Sequence, residues 1–318
     1  MKSDMPGVFT RGKWRRNRQG RYLRSPFYMK PMLRHLKERL YDSIILTELG
    51  RTIINPIRII NLFDKQERGE FFRTLLLKYK YMRKGSRHSP GMLVEQGYDK
   101  ISEQYTQWTE SEQNSERSRV VEALILCMPE KADLLDLGCG SGVPSTRRLA
   151  DRFNVTGVDF SSESIKRARS AVPGVTFIRG DMGKVQLAPA CFDIVTAFYS
   201  IFHIPRHEQP AVLEKVALSL RPGGLAILTM GTSSIKVHVE ENWFGTPMYW
   251  STFDSDTNIR LVEDTGLKIL RAKKLREYFL GRWNTFLWIV AQKPTGEDFS
   301  MDQFGSDFIE CLDRFPLP

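Results

Sequence analysis

A glycine-rich turn that opens with an acid is the stretch of this sequence best suited to hold a ligand. An apolar run ends at Leu135, and Asp136, Gly138, Gly140 and Gly142 follow at a spacing of two. A buried strand, a tight turn and a following helix would direct backbone N–H groups at a bound molecule. Glycine suits such a turn because it adopts positive φ and lets a ligand approach the backbone.

The leading acid indicates which ligand this turn accepts. A dinucleotide fingerprint keeps negative charge away from the pyrophosphate, whereas Asp136 would repel a phosphate and favours a cationic amino-acid ligand. The Asp-x-Gly-x-Gly-x-Gly pattern resembles motif I of the class I S-adenosylmethionine-dependent methyltransferases. The resemblance implies that the turn, with Cys139 as its small side chain, lies against the methionine part and ribose of the cofactor. It also implies that Asp136 helps to hold the cofactor's ammonium.

Two further acids follow at the predicted ends of the next strands. Asp159 ends the apolar segment 155–159, which puts its carboxylate beside the glycine turn, where it can accept both ribose hydroxyls. A role in capping the next helix is the alternative. The resemblance implies that Phe160 stacks on the adenine, that Asp181 receives the adenine amino group and that Met182 packs near the base. An ordinary turn aspartate is the alternative for Asp181.

The order of these features predicts the fold. Segments 192–197 and 225–230 are apolar strands, the second preceded by an Arg-Pro-Gly-Gly turn, and segment 285–293 resembles an antiparallel seventh strand. The resemblance covers about residues 92–294. It implies an α/β fold with a Rossmann-like, doubly wound, seven-stranded sheet whose last strand is antiparallel.

Aromatic residues mark both sides of the expected reaction centre. Tyr98 and Tyr105 share one face of a helix that, in similar enzymes, folds over the cofactor; core packing explains the spacing equally well. Phe198 borders the expected place of the cofactor's methyl group. The insertion 232–256 is predicted to form a lid over an apolar or aromatic substrate, or else a small separate core. Its candidate substrate residues are Trp243, Met248, Tyr249 and Trp250.

His203 is the candidate general base, because an unperturbed histidine pKa near 6.5 suits proton removal at neutral pH. It could instead orient the substrate or cap a helix, and His207 and Tyr199 are weaker candidates. We therefore expect methyl transfer from S-adenosylmethionine to a small molecule. A non-methylating reaction such as cyclisation or isomerisation, and RNA methylation, remain alternatives. The absence of an Asn-Pro-Pro-Tyr motif disfavours nucleic acid.

The charge distribution separates an N-terminal extension from the rest. The chain has 318 residues and a net charge of +10, with 22 lysines and arginines against 7 acids in residues 1–90. We expect a basic flexible arm over 1–30, a helical extension over 31–88, a methyltransferase domain over 89–294 and a loosely attached tail over 295–318. The arm is either a solvated tail, a contact for an anionic surface such as membrane head groups, or a transit peptide.

The compartment is predicted from cysteine usage and from apolar runs. Cys127, Cys139, Cys191 and Cys311 show neither metal-ligand spacing nor a paired framework, which favours a reducing compartment and predicts no metal. No apolar run reaches the roughly 18 residues of a membrane-spanning helix. We expect a cytoplasmic protein, peripheral to a membrane if the arm binds head groups, and a homodimer if the apolar faces of 31–88 pack between subunits.

Overall fold

The computed structural model describes residues 14–16, 22–24, 89–111, 115–279, 281–295 and 303–314. The chain divides into two compact units, residues 1–72 and 73–318. In the first unit, β1 (Trp14–Arg16) and β2 (Tyr22–Arg24) pair antiparallel, where the composition predicts a flexible arm. The predicted helical extension 31–88 lies outside the described residues.

The second unit is built on a seven-stranded sheet. Its strands are β3 (Asp133–Leu137), β4 (Asn154–Asp159), β5 (Thr176–Arg179), β6 (Phe192–Ala197), β7 (Leu220–Gly231), β10 (Lys268–Phe279) and β11 (Arg282–Gln292). They lie in the order β10-β11-β7-β6-β3-β4-β5. Strands β3 to β7 are parallel, and β11 runs antiparallel to both of its neighbours. The predicted sheet with an antiparallel last strand is confirmed.

Helices cover both faces of the sheet. They are α1 (Pro90–Ser111), α2 (Glu116–Cys127), α3 (Ser145–Ala150), α4 (Ser162–Ala171), α5 (Gln209–Ser219), α6 (Ser255–Glu263) and α7 (Gln303–Arg314). Leu134 and Ile194 point to the face packed by α2 and α7, and their neighbours Leu135 and Val195 point to the face packed by α5 and α6. Burial on both faces explains why these strands are continuous apolar runs. Among the described residues, no helix combines the length and the apolarity needed to cross a bilayer.

Two predicted boundaries differ from the structure. The strand predicted over 225–230 begins at Leu220, because Arg221 is fixed by ion pairs of 2.8 Å with Asp133 and 2.7 Å with Asp193. The insertion 232–256 contains a regular hairpin, β8 (Ile235–Trp243) and β9 (Thr246–Thr252). This hairpin is buried on one side against α1. Its many aromatic residues obscure the strand alternation in the sequence.

The C-terminal segment and the cysteines correct two expectations. Residues 303–314 are not a loose tail, since α7 packs on α2 and buries Phe308 and Leu312. Cys127 at the end of α2 and Cys311 on α7 form a disulfide with their Cα atoms 6.6 Å apart. The expected absence of paired cysteines is therefore wrong, and so is the ground on which a reducing compartment was predicted. A separation of 184 residues hides such a pair from any spacing argument.

Candidate active site

The glycine turn after β3 opens into a cavity of about 270 Å³ along the carboxyl ends of the parallel strands. Gly138 and Gly140 both have positive φ, 79° and 56°. A Cβ on Gly138 would stand 2.4 Å from the Cβ of Ser200, so no side chain fits there. Nothing lies within 4 Å of a Cβ built on Gly140, whose backbone faces the open cavity. The turn therefore presents bare backbone to a ligand, as the sequence predicts.

Asp159 stands in the wall of this cavity, directly beside the turn. Its carboxylate accepts hydrogen bonds from the backbone N–H of Gly140 at 3.0 Å and of Ser161 at 2.9 Å. Burial raises the pKa of Asp159 to about 6, although those two donors oppose the shift. The side chain is thus a fixed acceptor with lone pairs to spare for hydroxyl groups of a ligand.

Asp136 lies beneath the turn and does not line the cavity. It is buried, and its two carboxylate oxygens accept from the hydroxyls of Thr146 at 2.7 Å and Thr196 at 2.8 Å. Gly142 is likewise turned away, with Phe177 and Val172 next to its Cα. Both residues shape the turn by joining it to α3, α4 and β6. A direct contact between Asp136 and a ligand's ammonium is absent from this geometry.

The far end of the cavity is lined by Phe160, Asp181 and Met182. The Asp181 carboxylate accepts from the backbone N–H of Gly183 at 2.8 Å and from the Lys184 ammonium at 2.6 Å. It therefore closes a turn, as the alternative interpretation required, while it also faces the cavity. Apolar surface and an acceptor occur together here, as binding of a purine would require.

Helix α1 closes the cavity from above. Tyr98 and Tyr105, predicted from helical spacing, both line it. Asp99 on the same helix accepts from the hydroxyl of Ser161 at 2.7 Å and from the N–H of Glu163 at 3.1 Å. The helix is thereby tied to the start of α4, immediately after Asp159.

His203 lies in the 3₁₀ turn after β6 and is buried. Its Nδ1 is 2.9 Å from the carbonyl oxygen of Tyr249, which can only accept, so Nδ1 carries the proton. Its Nε2 is 2.9 Å from the Tyr98 hydroxyl and therefore accepts from it. Burial lowers the pKa of His203 to about 4. The imidazole is thus neutral, with its lone pair directed at Tyr98.

A second cavity, of about 440 Å³, adjoins the first. It lies between the β8–β9 and β10–β11 hairpins, and its aromatic walls include Phe202, Trp243, Trp250 and Phe286. An ion pair of 2.8 Å joins Glu240 to Arg282 at its rim. Four side chains line both cavities and so stand between them: Tyr98, Tyr105, Tyr199 and His203.

The predicted substrate residues divide into two pairs. Trp243 and Trp250 line the second cavity, and the Trp250 ring lies 4.4 Å from that of His203. Met248 and Tyr249 are buried and line neither of the two cavities. Among the remaining candidates, Cys139 and Phe198 line the first cavity. His207 is exposed and lines neither cavity.

Arg117 is a residue of this site that the sequence does not reveal. It lies in the first turn of α2, lines the first cavity and places its guanidinium carbon 5.8 Å from the centre of the Tyr199 ring. It forms no ion pair with any other residue of the described ranges, and its Nε is buried without a hydrogen-bond partner. Its charge acts at longer range on the buried carboxyls of Asp136 and Glu277, and the guanidinium can also receive an anionic group in the cavity.

Tyr199 is held rigidly between the cavities. Its φ is 52°, unusual for a residue other than glycine. Its hydroxyl donates to Glu277 at 2.5 Å, and the Trp288 indole N–H donates to the other oxygen of that carboxylate at 2.8 Å. The ring is therefore a fixed wall at the junction of the two cavities.

Comparison with known proteins supports the predicted family. Residues 134–224, which contain the glycine turn, Asp159 and Asp181, match the family model of a methyltransferase domain. This segment is therefore similar to methyltransferase domains, as the resemblance to class I S-adenosylmethionine-dependent methyltransferases predicts. It runs from β3 into β7 and includes the residues of the first cavity from Gly138 to Glu208.

The matched part of the chain is similar to curated methyltransferases that are named for different substrates. Trans-aconitate 2-methyltransferase of Azoarcus sp. (strain BH72) is 33% identical over 120 residues, 36% of this chain and 46% of that protein. The 27-O-demethylrifamycin SV methyltransferase of Amycolatopsis mediterranei (strain S699) is 33% identical over 116 residues, 34% of this chain and 42% of that protein. The chain spans about half the length of the curated relatives it matches.

A solved structure shows the same fold. N-methyltransferase NodS from Bradyrhizobium japonicum WM9, in complex with S-adenosyl-L-homocysteine, superposes with a TM-score of 0.50. The match covers 63% of this chain and 98% of that one at 16% identity.

Proposed function

We propose that this protein transfers the methyl group of S-adenosylmethionine to a small apolar or aromatic acceptor. The observation that best supports this proposal is the pair of adjoining cavities, which are separated by Tyr98, Tyr105, Tyr199 and His203. The first cavity has the family's cofactor motif in its floor, and the second has aromatic walls. A methyl donor in one and an acceptor in the other would meet at these four side chains.

The residues of the first cavity fit the cofactor from end to end. Phe160 and Met182 offer apolar surface to an adenine, and the Asp159 carboxylate accepts from ribose hydroxyls. The guanidinium of Arg117, which forms no ion pair within the described residues, lies at the opposite end, next to Tyr199, and complements the cofactor's carboxylate. Opposite charges at the two ends also fix the direction in which the molecule binds.

When bound, S-adenosylmethionine supplies a methyl group that its positively charged sulfur already activates. The protein must therefore align the acceptor and exclude water, rather than provide covalent help. Helix α1 excludes water, since Tyr98 and Tyr105 close the cavity while Asp99 ties the helix to α4. The rigid Tyr199 ring aligns the acceptor by limiting the positions that it can occupy.

Tyr98 and His203 together provide a path for the acceptor's proton. Because Nε2 of His203 already accepts from Tyr98, an acceptor hydroxyl reaches the base through the Tyr98 oxygen. As the acceptor loses its proton to that oxygen, the Tyr98 proton passes to Nε2, while Nδ1–H stays on the Tyr249 carbonyl. Burial keeps Nε2 unprotonated at neutral pH, but the same burial lowers the pKa to about 4, so the imidazole is a weaker base than the ordinary histidine expected from the sequence.

Calorimetric titration with S-adenosylmethionine tests the cofactor assignment. We expect Asp159→Ala to weaken binding by about 1–3 kcal/mol, the cost of unmade hydrogen bonds to a charged group. Asp151→Ala is the control, because that carboxylate is exposed and lies outside both cavities. No binding by the wild type would refute the assignment.

Product analysis tests the reaction. The protein is incubated with S-adenosylmethionine and lipophilic phenols such as 1-naphthol, and S-adenosylhomocysteine is measured. Its formation, dependent on the phenol, supports methyl transfer. Cofactor binding without this product from any acceptor would favour a non-methylating reaction such as cyclisation or isomerisation.

A further inference from the structure

The end of the β10–β11 hairpin exposes two large aromatic side chains. Tyr278 and Trp283 are paired across the hairpin, with ring centres 5.3 Å apart, and their relative exposures are 58% and 57%. Exposed aromatic pairs of this size mark contact sites when they stand together. The Arg276 guanidinium lies 4.8 Å from the centre of the Trp283 ring.

The same hairpin is strongly basic in a domain that is acidic elsewhere. Residues 268–292 contain six lysines and arginines and one acid, whereas the rest of residues 91–318 contains 19 and 29. That one acid, Glu277, is turned inward to Tyr199 and Trp288. Lys274 and Arg276 are exposed and, by strand alternation, lie on the same face of β10 as Tyr278, so positive charge adjoins the aromatic pair.

The hairpin also forms part of the second cavity. Arg282, Trp283 and Asn284 contribute to its lining beside the ion pair at the rim. Whatever binds the end of this hairpin therefore lies next to the opening of the cavity in which we place the acceptor.

We propose that Lys274, Arg276, Tyr278 and Trp283, here called the hairpin surface, dock on an anionic lipid membrane. Lysine and arginine side chains are attracted to anionic head groups, at about fivefold in affinity per residue. Tyrosine and tryptophan favour the interface, where one part of the ring is apolar and the other is hydrated. The lipid is favoured over nucleic acid because the Arg276 guanidinium already occupies one face of the Trp283 ring, and a base would stack on such a face.

Docking gives the aromatic cavity a source of acceptor. A lipophilic molecule dissolved in the membrane would reach the rim of the second cavity without crossing water. This consequence rests on the proposed function, whereas the docking itself does not.

Co-sedimentation of the full chain with vesicles tests the docking. Vesicles of phosphatidylcholine with about 30% phosphatidylserine should bind the protein, and pure phosphatidylcholine should bind it far less. We expect Tyr278→Ser with Trp283→Ser to weaken binding about tenfold, and Lys274→Glu with Arg276→Glu to weaken it at least about 25-fold. Leu218→Ser is the control, because Leu218 is 64% exposed on α5 and outside this surface. Its binding should equal that of the wild type.

Fluorescence distinguishes this surface from the basic N-terminal segment, which can also attract vesicles. Brominated lipids should quench part of the tryptophan emission, and Trp283→Phe should remove most of that quenching. Unchanged vesicle binding by the hairpin variants, or unchanged quenching in Trp283→Phe, would overturn the proposal. Hairpin variants that lose RNA binding but keep vesicle binding would also overturn it.

Cofactor titration separates this proposal from the proposed function. Hairpin variants should bind S-adenosylhomocysteine as the wild type does, which also shows that they fold. A wild type that binds vesicles through the hairpin surface but no cofactor would support the docking and refute the methyltransferase activity.

Discussion

The pH dependence of cofactor binding follows from the surroundings of Asp159. Burial raises the pKa of this carboxyl to about 6 in the cofactor-free protein. Ribose hydroxyls donate hydrogen bonds, so the ionised carboxylate binds them and the protonated one, itself a donor, binds them poorly. Binding therefore requires loss of the proton and becomes weaker as the pH falls through 6.

The size of the effect follows from the fraction that is ionised. With a pKa of about 6, the carboxyl is about nine-tenths ionised at pH 7 and about one-tenth at pH 5. The association constant should thus fall about tenfold, or about 1.4 kcal/mol, between these pH values. Above pH 7 it should level off, since nearly all of the protein is already in the binding form.

Calorimetry with S-adenosylhomocysteine at pH 5, 6 and 7 measures this dependence. Near pH 6, buffers with different heats of ionisation should also reveal release of about half a proton per molecule bound. Asp159→Asn is the matched control, because the amide keeps one acceptor and cannot titrate. A flat affinity from pH 5 to 7 in the wild type, or a tenfold fall that persists in Asp159→Asn, would refute this reasoning.

Three other substitutions have predicted outcomes. Tyr98→Phe breaks the path to His203 and should lower kcat about 100-fold while S-adenosylhomocysteine binding changes little; equal kcat would exclude the relay. Arg117→Leu should weaken S-adenosylhomocysteine binding about tenfold but leave 5′-methylthioadenosine, which lacks the carboxylate, unaffected; equal losses for both would place Arg117 elsewhere. Cys127→Ser with Cys311→Ser should lower the free energy of unfolding by about 2–5 kcal/mol in urea titrations, and an unchanged midpoint under oxidising conditions would contradict a role in stability.

The parts of the site that come from local backbone geometry could be predicted from the sequence. A strand followed by a glycine turn places Gly138 and Gly140 at the edge of the sheet, and the next strand brings Asp159 beside them. Chain order fixes both relations, because the carboxyl ends of parallel strands meet at the same edge of the sheet. The motif reveals an acid at the turn, Asp136, but not the two threonines whose hydroxyls bind its carboxylate from below.

Features formed between distant segments could not be predicted in this way. Arg117 belongs to no motif and reaches the cavity only because α2 begins there. The Cys127–Cys311 disulfide depends on how α7 returns to α2. Local pattern fixes neither relation, since both are set by the packing of elements far apart in the chain.

His203 shows how the common fold and the inserted hairpin combine in one function. The turn after β6 belongs to the sheet and sets where the imidazole stands. Its tautomer, however, is set by the carbonyl of Tyr249 on β9, in the insertion that also provides Trp243 and Trp250 to the second cavity. A change of acceptor that moved β9 would therefore also change which nitrogen of His203 accepts the proton. On the proposed function, the hairpin that lines the acceptor cavity and the imidazole that receives the acceptor's proton are therefore linked by one hydrogen bond of 2.9 Å.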